Sequence, residues 1–108
     1  MSDNKDILER LYAVIESRKG ADADSSYTAS LFSKGLDEIS RKVGEEAIET
    51  ITAALGGKPN ENVTAESADL LYHLLVLWAE CGIAPDQVWD ELARREGTSG
   101  IEEKAKRS

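Results

Sequence analysis

The chain has 108 residues, 21 acidic against 13 basic, and a formal net charge of −8. That length fits a single domain over residues 1–108 with a modest core, and the charge argues against a general binder of nucleic acid or of an anionic membrane. One cysteine (Cys81) and one histidine (His73) exclude an intrachain disulfide and a closed Cys/His zinc site.

Aromatic residues make up 6% of the chain, helix formers dominate, and β-branched residues never alternate in runs. An all-α fold of four to five helices is therefore expected. No apolar N-terminal run resembles a signal peptide, and the longest apolar stretch is far short of a membrane span. A reducing cytoplasm is the expected location.

Met1–Asn4 reads as a capping region. Ile7, Leu8, Leu11, Val14 and Ile15 then form one apolar stripe, which predicts an amphipathic helix ending near Arg18-Lys19-Gly20. Residues 20–27 read as a polar loop, and a short helix follows from about Thr28 to Lys34, broken at Gly35. The next helix is predicted from Leu36 to Leu55. Ile39, Val43, Ala47, Ile48, Ile51, Ala54 and Leu55 cover one broad side of it, and Glu38, Lys42, Glu45, Glu46 and Glu49 occupy the other.

Gly56-Gly57-Lys58-Pro59-Asn60 turns the chain. A second long helix is predicted from Asn62–Thr64 to Glu80 or Cys81, with residues 70–78 apolar nearly all round. So apolar a helix in so small a protein is expected to be buried from several sides, in part by a second subunit. Gly82 stops it, and Ala84-Pro85 opens a last helix with Val88, Trp89 and Leu92 on its apolar side. The tail, residues 97–108, lacks a stripe and is expected to be mobile without ligand.

Five carboxylates carry the chemistry. Glu45, Glu46 and Glu49 form E-E-x-x-E, and Glu66 and Asp69 form E-x-x-D on the next helix. At about 100° per residue each cluster projects from one side of its helix. If the turn folds the helices antiparallel, the clusters meet, an unfavourable arrangement unless a cation sits among them. Carboxylate oxygens suit Mg²⁺, with Mn²⁺ a possible substitute. One to three such ions and an activated water suit hydrolysis of a polyphosphate anhydride, with a carboxylate accepting the proton.

By spacing alone, an ordinary solvated acidic surface is the simpler reading. Two details weigh against it: Glu66 and Asp69 abut the most apolar segment, and Glu38, Lys42, Glu45 and Glu49 make one continuous strip. His73 shares the side of Glu66 and Asp69. It reads first as a satisfied core or interface histidine, and second as a metal-site neighbour or phosphate contact. Cys81 reads as a small buried apolar residue. Lys34, Arg41, Lys42, Arg94, Arg95, Lys104 and Arg107 are the candidate phosphate-binding cations. For Lys42 an intrahelical pair with Glu46 is an equally good account.

SYTASLFSKGLDEISRKVGEEAIET (Ser26–Thr50) and ESADLLYHLLVLWAECGI (Glu66–Ile83), with LERLYAVIESRKG (Leu8–Gly20) before them, closely resemble the phosphoribosyl-ATP pyrophosphatase family. The two acidic motifs alone resemble only the wider all-α, MazG-like NTP pyrophosphohydrolase superfamily. The resemblance implies a MazG-like helical bundle completed by homodimerisation. It implies Mg²⁺-dependent hydrolysis of 1-(5-phosphoribosyl)-ATP to 1-(5-phosphoribosyl)-AMP and pyrophosphate, the second step of histidine biosynthesis. By position, Glu45, Glu46, Glu49, Glu66 and Asp69 would be the catalytic, metal-binding carboxylates. Lys42 would be the foremost substrate-binding candidate, with Ser26, Tyr27, Lys34 and Lys104 weaker ones. With 108 residues and one cysteine, the chain is expected to be the free-standing pyrophosphatase and not the fusion with phosphoribosyl-AMP cyclohydrolase. The alternative within the superfamily is a house-cleaning (d)NTP pyrophosphohydrolase, and the alternative outside enzymes is an acidic helical interaction module.

Overall fold

A computed structural model describes residue 4, residues 6–97 and residues 100–107 of the chain, with residues 59, 102 and 103 described by their backbone alone. Among the described residues there are six helices: α1 (Ile7–Ser17), α2 (Tyr27–Lys34), α3 (Leu36–Ala54), α4 (Pro59–Cys81), α5 (Pro85–Arg95) and α6 (Gly100–Arg107). The fold is all-α, and α3 packed against α4 is its centre.

Cys81, expected to be buried, is exposed at the last residue of α4, and three boundaries differ from the sequence expectation. Asp6 rather than Met1–Asn4 stands at the N-cap of α1, and of that segment only Asn4 lies within the described residues. The α4 helix begins at Pro59 inside the expected turn, because proline at the first helical position lacks only an N–H that would be unpaired there anyway. The C-terminal segment, read as a mobile tail without regular structure, carries α6. Residues 98, 99 and 108 of that tail lie outside the described residues.

Two glycines shape the path. Gly35 has φ of 92° and serves as both the C-cap of α2 and the N-cap of α3, so the helices join without a linker. Gly82 is left-handed (φ 73°), and beyond it the Ile83 N–H donates to the Trp78 carbonyl at 2.8 Å, closing α4.

The buried core is Ile15, Leu31, Ile39, Leu75, Val76 and Ala79, one or more from each of α1 to α4. Side chains then fasten α1 and α5 to the end of α4. The Lys19 ammonium donates to the Ala79 carbonyl at 2.7 Å, the Tyr12 hydroxyl to the Ile83 carbonyl at 2.8 Å, and the Trp89 indole N–H to Glu9 Oε1 at 2.8 Å. Trp78 and Trp89 meet edge to face, 5.9 Å between centroids.

The broad apolar side expected to bury α3 is only partly buried. Ile39 is fully buried and Val43 and Ala47 are half-buried, but Ile48, Ile51 and Leu55 are 65%, 61% and 84% exposed. On the helical wheel Glu46 lies about 20° from Ile39, whereas Ile48 lies about 180° from it. The helix is thus rolled so that its inward direction runs through Ile39 and Glu46. This roll brings acidic side chains towards α4 and leaves half of the apolar side uncovered within one chain.

Candidate functional site

The roll of α3 and the antiparallel course of α4 set the site. Glu46 on α3 and Glu66 and Asp69 on α4 each offer one carboxylate oxygen, and the three oxygens lie within 4.8 Å of one another. Glu49, one turn after Glu46 (i+3), places its carboxylate against both Glu46 and Glu66. Four of the five sequence-predicted carboxylates therefore converge. Glu45 does not join them: it pairs with the Arg41 guanidinium and lies 3.4 Å from the Lys42 ammonium. The helix explains the difference, since Glu45 lies about 100° from Glu46 and so points along the flank of α3.

Physical strain is written into the cluster. Burial, then hydrogen bonding and repulsion from Glu49, and repulsion from Asp69 push the Glu46 carboxyl above its ordinary range, with His73 acting in the opposite direction. Burial, the Glu49 charge and contact, and Asp69 push Glu66 the same way. The Oε2 atoms of Glu46 and Glu66 are buried and lack a hydrogen-bond partner among the described residues. Two orphaned anionic oxygens are costly unless a cation or protons satisfy them. An all-oxygen set of three or four carboxylates fits Mg²⁺ or Mn²⁺. Beside the cluster a groove of about 360 Å³ opens between the end of α3 and the start of α4, lined by Glu49, Thr52, Ala53, Gly56, Asn62 and Glu66.

A second, aromatic layer lies under the carboxylates. His73 is buried, 6% exposed, one turn after Asp69. Its Nδ1 is 2.8 Å from the Asp69 carbonyl oxygen, and its Nε2 is 2.9 Å from the Tyr27 hydroxyl. Tyr72 stacks with Tyr27 and hydrogen-bonds the Thr28 hydroxyl. Burial raises the proton affinity of Tyr27, opposed by the Lys42 charge and reinforced by Glu46, Glu38 and Glu45. Ser26 is the N-cap of α2, accepting from the Ala29 N–H at 2.9 Å.

The remaining candidates lie further out. Lys34, in the last turn of α2, acts on Glu38 rather than on the cluster. Lys104 is exposed on α6. Lys42 has Glu45, not Glu46, as its carboxylate partner. The sequence reading missed Thr52 and Asn62 in the groove and Tyr72 below it. These are ordinary residue types with no spacing signal, so only the fold could single them out.

Fold and site together define a class: an all-α protein whose central antiparallel helix pair gathers carboxylates beside a groove. Residues 8–96 match the family described as "Phosphoribosyl-ATP pyrophosphohydrolase". A protein of Paramagnetospirillum magneticum named phosphoribosyl-ATP pyrophosphatase is 60% identical over 108 residues, covering 100% of this chain and 98% of its own. Proteins of the same name from Rhodospirillum rubrum (61% over 102 residues, 94% of this chain and 86% of its own) and Geobacter sulfurreducens (56% over 108 residues, 100% and 99%) are similar. The chain belongs to the phosphoribosyl-ATP pyrophosphohydrolase family. Among the described residues no single helix is long and apolar enough to cross a membrane.

Proposed function

We propose that this chain hydrolyses 1-(5-phosphoribosyl)-ATP between its α and β phosphorus atoms, giving 1-(5-phosphoribosyl)-AMP and pyrophosphate, in histidine biosynthesis. The observation that carries the reading is the convergence of Glu46, Glu66 and Asp69, with two buried unpartnered oxygens, in a chain matching the family over residues 8–96. Glu46, Glu66 and Asp69 would hold Mg²⁺, with Glu49 adjoining and Glu45 at the flank. A bound divalent cation supplies charge neutralisation for the phosphates and acidity for the attacking water.

The chain's own residues do the rest. The Lys42 ammonium, one helical turn before Glu46, and the Tyr27 hydroxyl, which hydrogen-bonds His73, are the groups assigned here to an anionic polyphosphate. The adjoining groove offers the neutral hydrogen-bonding groups of Thr52 and Asn62 to the uncharged part of the substrate. Such a reaction belongs in the cytoplasm, and the lone cysteine suits that compartment.

We also propose a homodimer. Ile48, Ile51 and Leu55 on α3, with Leu71 on α4, are large apolar side chains exposed on the central pair. A second copy packing against them would complete a four-helix centre.

Release of pyrophosphate from phosphoribosyl-ATP, measured with Mg²⁺ and with EDTA, tests the reaction. Mg²⁺-dependent pyrophosphate release is expected. Exclusive release of orthophosphate, or faster turnover of ordinary and damaged (d)NTPs than of phosphoribosyl-ATP, would refute it.

A further inference from the structure

The groove between the end of α3 and the start of α4 has an order along its length. Glu49 and Glu66 belong to the carboxylate cluster, and Glu66 Oε2 is one of the two buried oxygens without a partner. Thr52, Ala53 and Gly56 follow Glu49 at i+3, i+4 and i+7, so they continue its side of α3 towards the turn. Asn62 lies one turn before Glu66 on the facing helix. Beyond Glu49 and Glu66 the lining residues carry no charge, and none of them is a cation that could hold a phosphate. The volume of about 360 Å³ stands at the small end of ligand pockets, which run from about 300 to 1,000 Å³. That is room for one heterocycle and its sugar, not for the whole substrate.

The polar groups of this stretch have no internal use. Thr50 and Thr64 turn their hydroxyls back on their own helices, to the Glu46 carbonyl at 2.8 Å and the Asn60 carbonyl at 2.7 Å. The Thr52 hydroxyl and the Asn62 amide make no hydrogen bond among the described residues. Both can donate and accept, as the edge of a base or the hydroxyls of a ribose require.

Gly56 is the unexpected part of the wall. A fold calls for glycine where φ is left-handed or where a Cβ has no room. Neither holds at Gly56. The positive-φ glycines are Gly20, Gly35, Gly82 and Gly97. A Cβ at Gly56 would meet the Ala53 and Thr52 carbonyl oxygens at 3.5 and 3.7 Å, which is ordinary contact. Because Gly56 forms part of the groove wall, the open space for a longer side chain there is the groove itself.

We propose that Gly56 is a specificity-determining residue: the side chain it lacks leaves the groove open for the nucleoside of the substrate, which Thr52 and Asn62 hydrogen-bond while the polyphosphate lies at the carboxylates. The inference rests on the functional reading above for the identity of the substrate, and deepens it.

Two probes separate the groove from the carboxylates. Inorganic tripolyphosphate has no nucleoside; α,β-methylene-ATP has one and cannot be hydrolysed between its α and β phosphorus atoms. With Mg²⁺, the wild-type chain should bind the second about ten-fold more tightly, the effect of one or two directed hydrogen bonds. Gly56→Leu should remove that advantage and leave tripolyphosphate binding within about two-fold. Asn62→Leu, of similar volume, should reduce the advantage and also spare tripolyphosphate. Gly57→Leu is the control for the turn. Its φ is not positive, a Cβ there meets nothing within 4 Å, and it does not line the groove. It should bind both probes as the wild type does.

Equal affinity of the wild-type chain for the two probes would overturn the inference, as would an undiminished advantage in Gly56→Leu. Weakening of both probes alike in Gly56→Leu, or loss of the advantage in Gly57→Leu, would also overturn it, by making residue 56 a part of the turn's construction only. If the expected pattern holds but no pyrophosphate is released from phosphoribosyl-ATP, the functional reading fails while the nucleoside subsite stands. Pyrophosphate release without any nucleoside advantage would give the reverse.

Discussion

Glu46→Gln should make the metal-free protein more stable and the metal-loaded protein less so. The three clustered oxygens lie within 4.8 Å of one another. At that separation two unit charges repel by about 0.9 kcal/mol in bulk water and about 3.5 kcal/mol at the effective dielectric near a protein surface. Glu46 is half-buried, and solvent screening discounts the larger figure. Removing its charge should therefore return about 1–2 kcal/mol. The substitution also puts an amide in place of a carboxylate whose Oε2 is buried and unpartnered, and the neighbouring Glu49 and Asp69 carboxylates can accept from its N–H groups. For a domain near this size 1 kcal/mol moves Tm by about 4–8 °C, so Tm in EDTA should rise by about 5 °C or more.

With Mg²⁺ at about a hundred times its Kd, the wild-type chain gains about 2.7 kcal/mol. The variant, lacking one cluster oxygen's charge, should gain little. The ranking of the two proteins should reverse between EDTA and saturating Mg²⁺, and turnover should be lost in the variant. Thermal melts of both proteins across a Mg²⁺ titration measure this directly. An unchanged or lowered Tm for Glu46→Gln in EDTA would refute the repulsion argument. An equal Mg²⁺ shift in both proteins would refute the placement of the cation.

The raised Glu46 and Glu66 carboxyls contribute stability that is present below their ordinary 4.5 and lost as pH rises through their folded values. In EDTA, Tm should accordingly increase on acidification from neutrality towards about pH 4.5, and Glu46→Gln should flatten that limb. Below 4.5 the sign changes, because Arg41 holds Glu38 low and Arg94 and Arg95 hold Glu91 at about 2, so stability falls as those carboxylates protonate. Ile51→Glu should convert the proposed dimer to a monomer, read by mass in solution at micromolar concentration; a wild-type monomer there would refute the dimer. Lys19→Ala should remove the 2.7 Å bond to the Ala79 carbonyl and cost about 1 kcal/mol in thermal melts, with kinetic constants unchanged.

What could be read from sequence follows from periodicity. The stripe of Ile7, Leu8, Leu11, Val14 and Ile15 predicted α1, and Gly35 and Gly82 marked the ends of α2 and α4, because helical spacing and left-handed glycine are local properties. The carboxylate motifs were legible for the same reason. Spacing could not choose between Glu45 and Glu46 as the inward residue. The two differ by about 100°, and the choice depends on how α3 rolls against α4, a tertiary property. Arg41 four residues before Glu45 was the local sign that Glu45 had a partner elsewhere. The link from Tyr27 to His73 spans 46 positions and no local pattern announces it.

The roll of α3 deserves a physical reason, because a lone helical hairpin would favour another one. Turning α3 by about 120° would bury Ile51 where Ile39 now points and carry Glu46 into water. Each large apolar side chain buried is worth about 1.5–3 kcal/mol, so burying Ile48, Ile51 and Leu55 would offset the exposure of Ile39 and Val43 and would spare the unpartnered carboxylate its half-burial. Both costs of the observed orientation would be met from outside the chain by the ligands proposed above. A divalent cation would meet the first by neutralising Glu46, Glu66 and Asp69. A second copy would meet the second by covering Ile48, Ile51 and Leu55. The two faces belong to one helix and are fixed by one rotation, so metal binding and dimer formation should stabilise the same roll. Mg²⁺ should then tighten the dimer and Ile51→Glu should weaken the Mg²⁺ response, a reciprocity that linkage requires of any two ligands favouring one conformation.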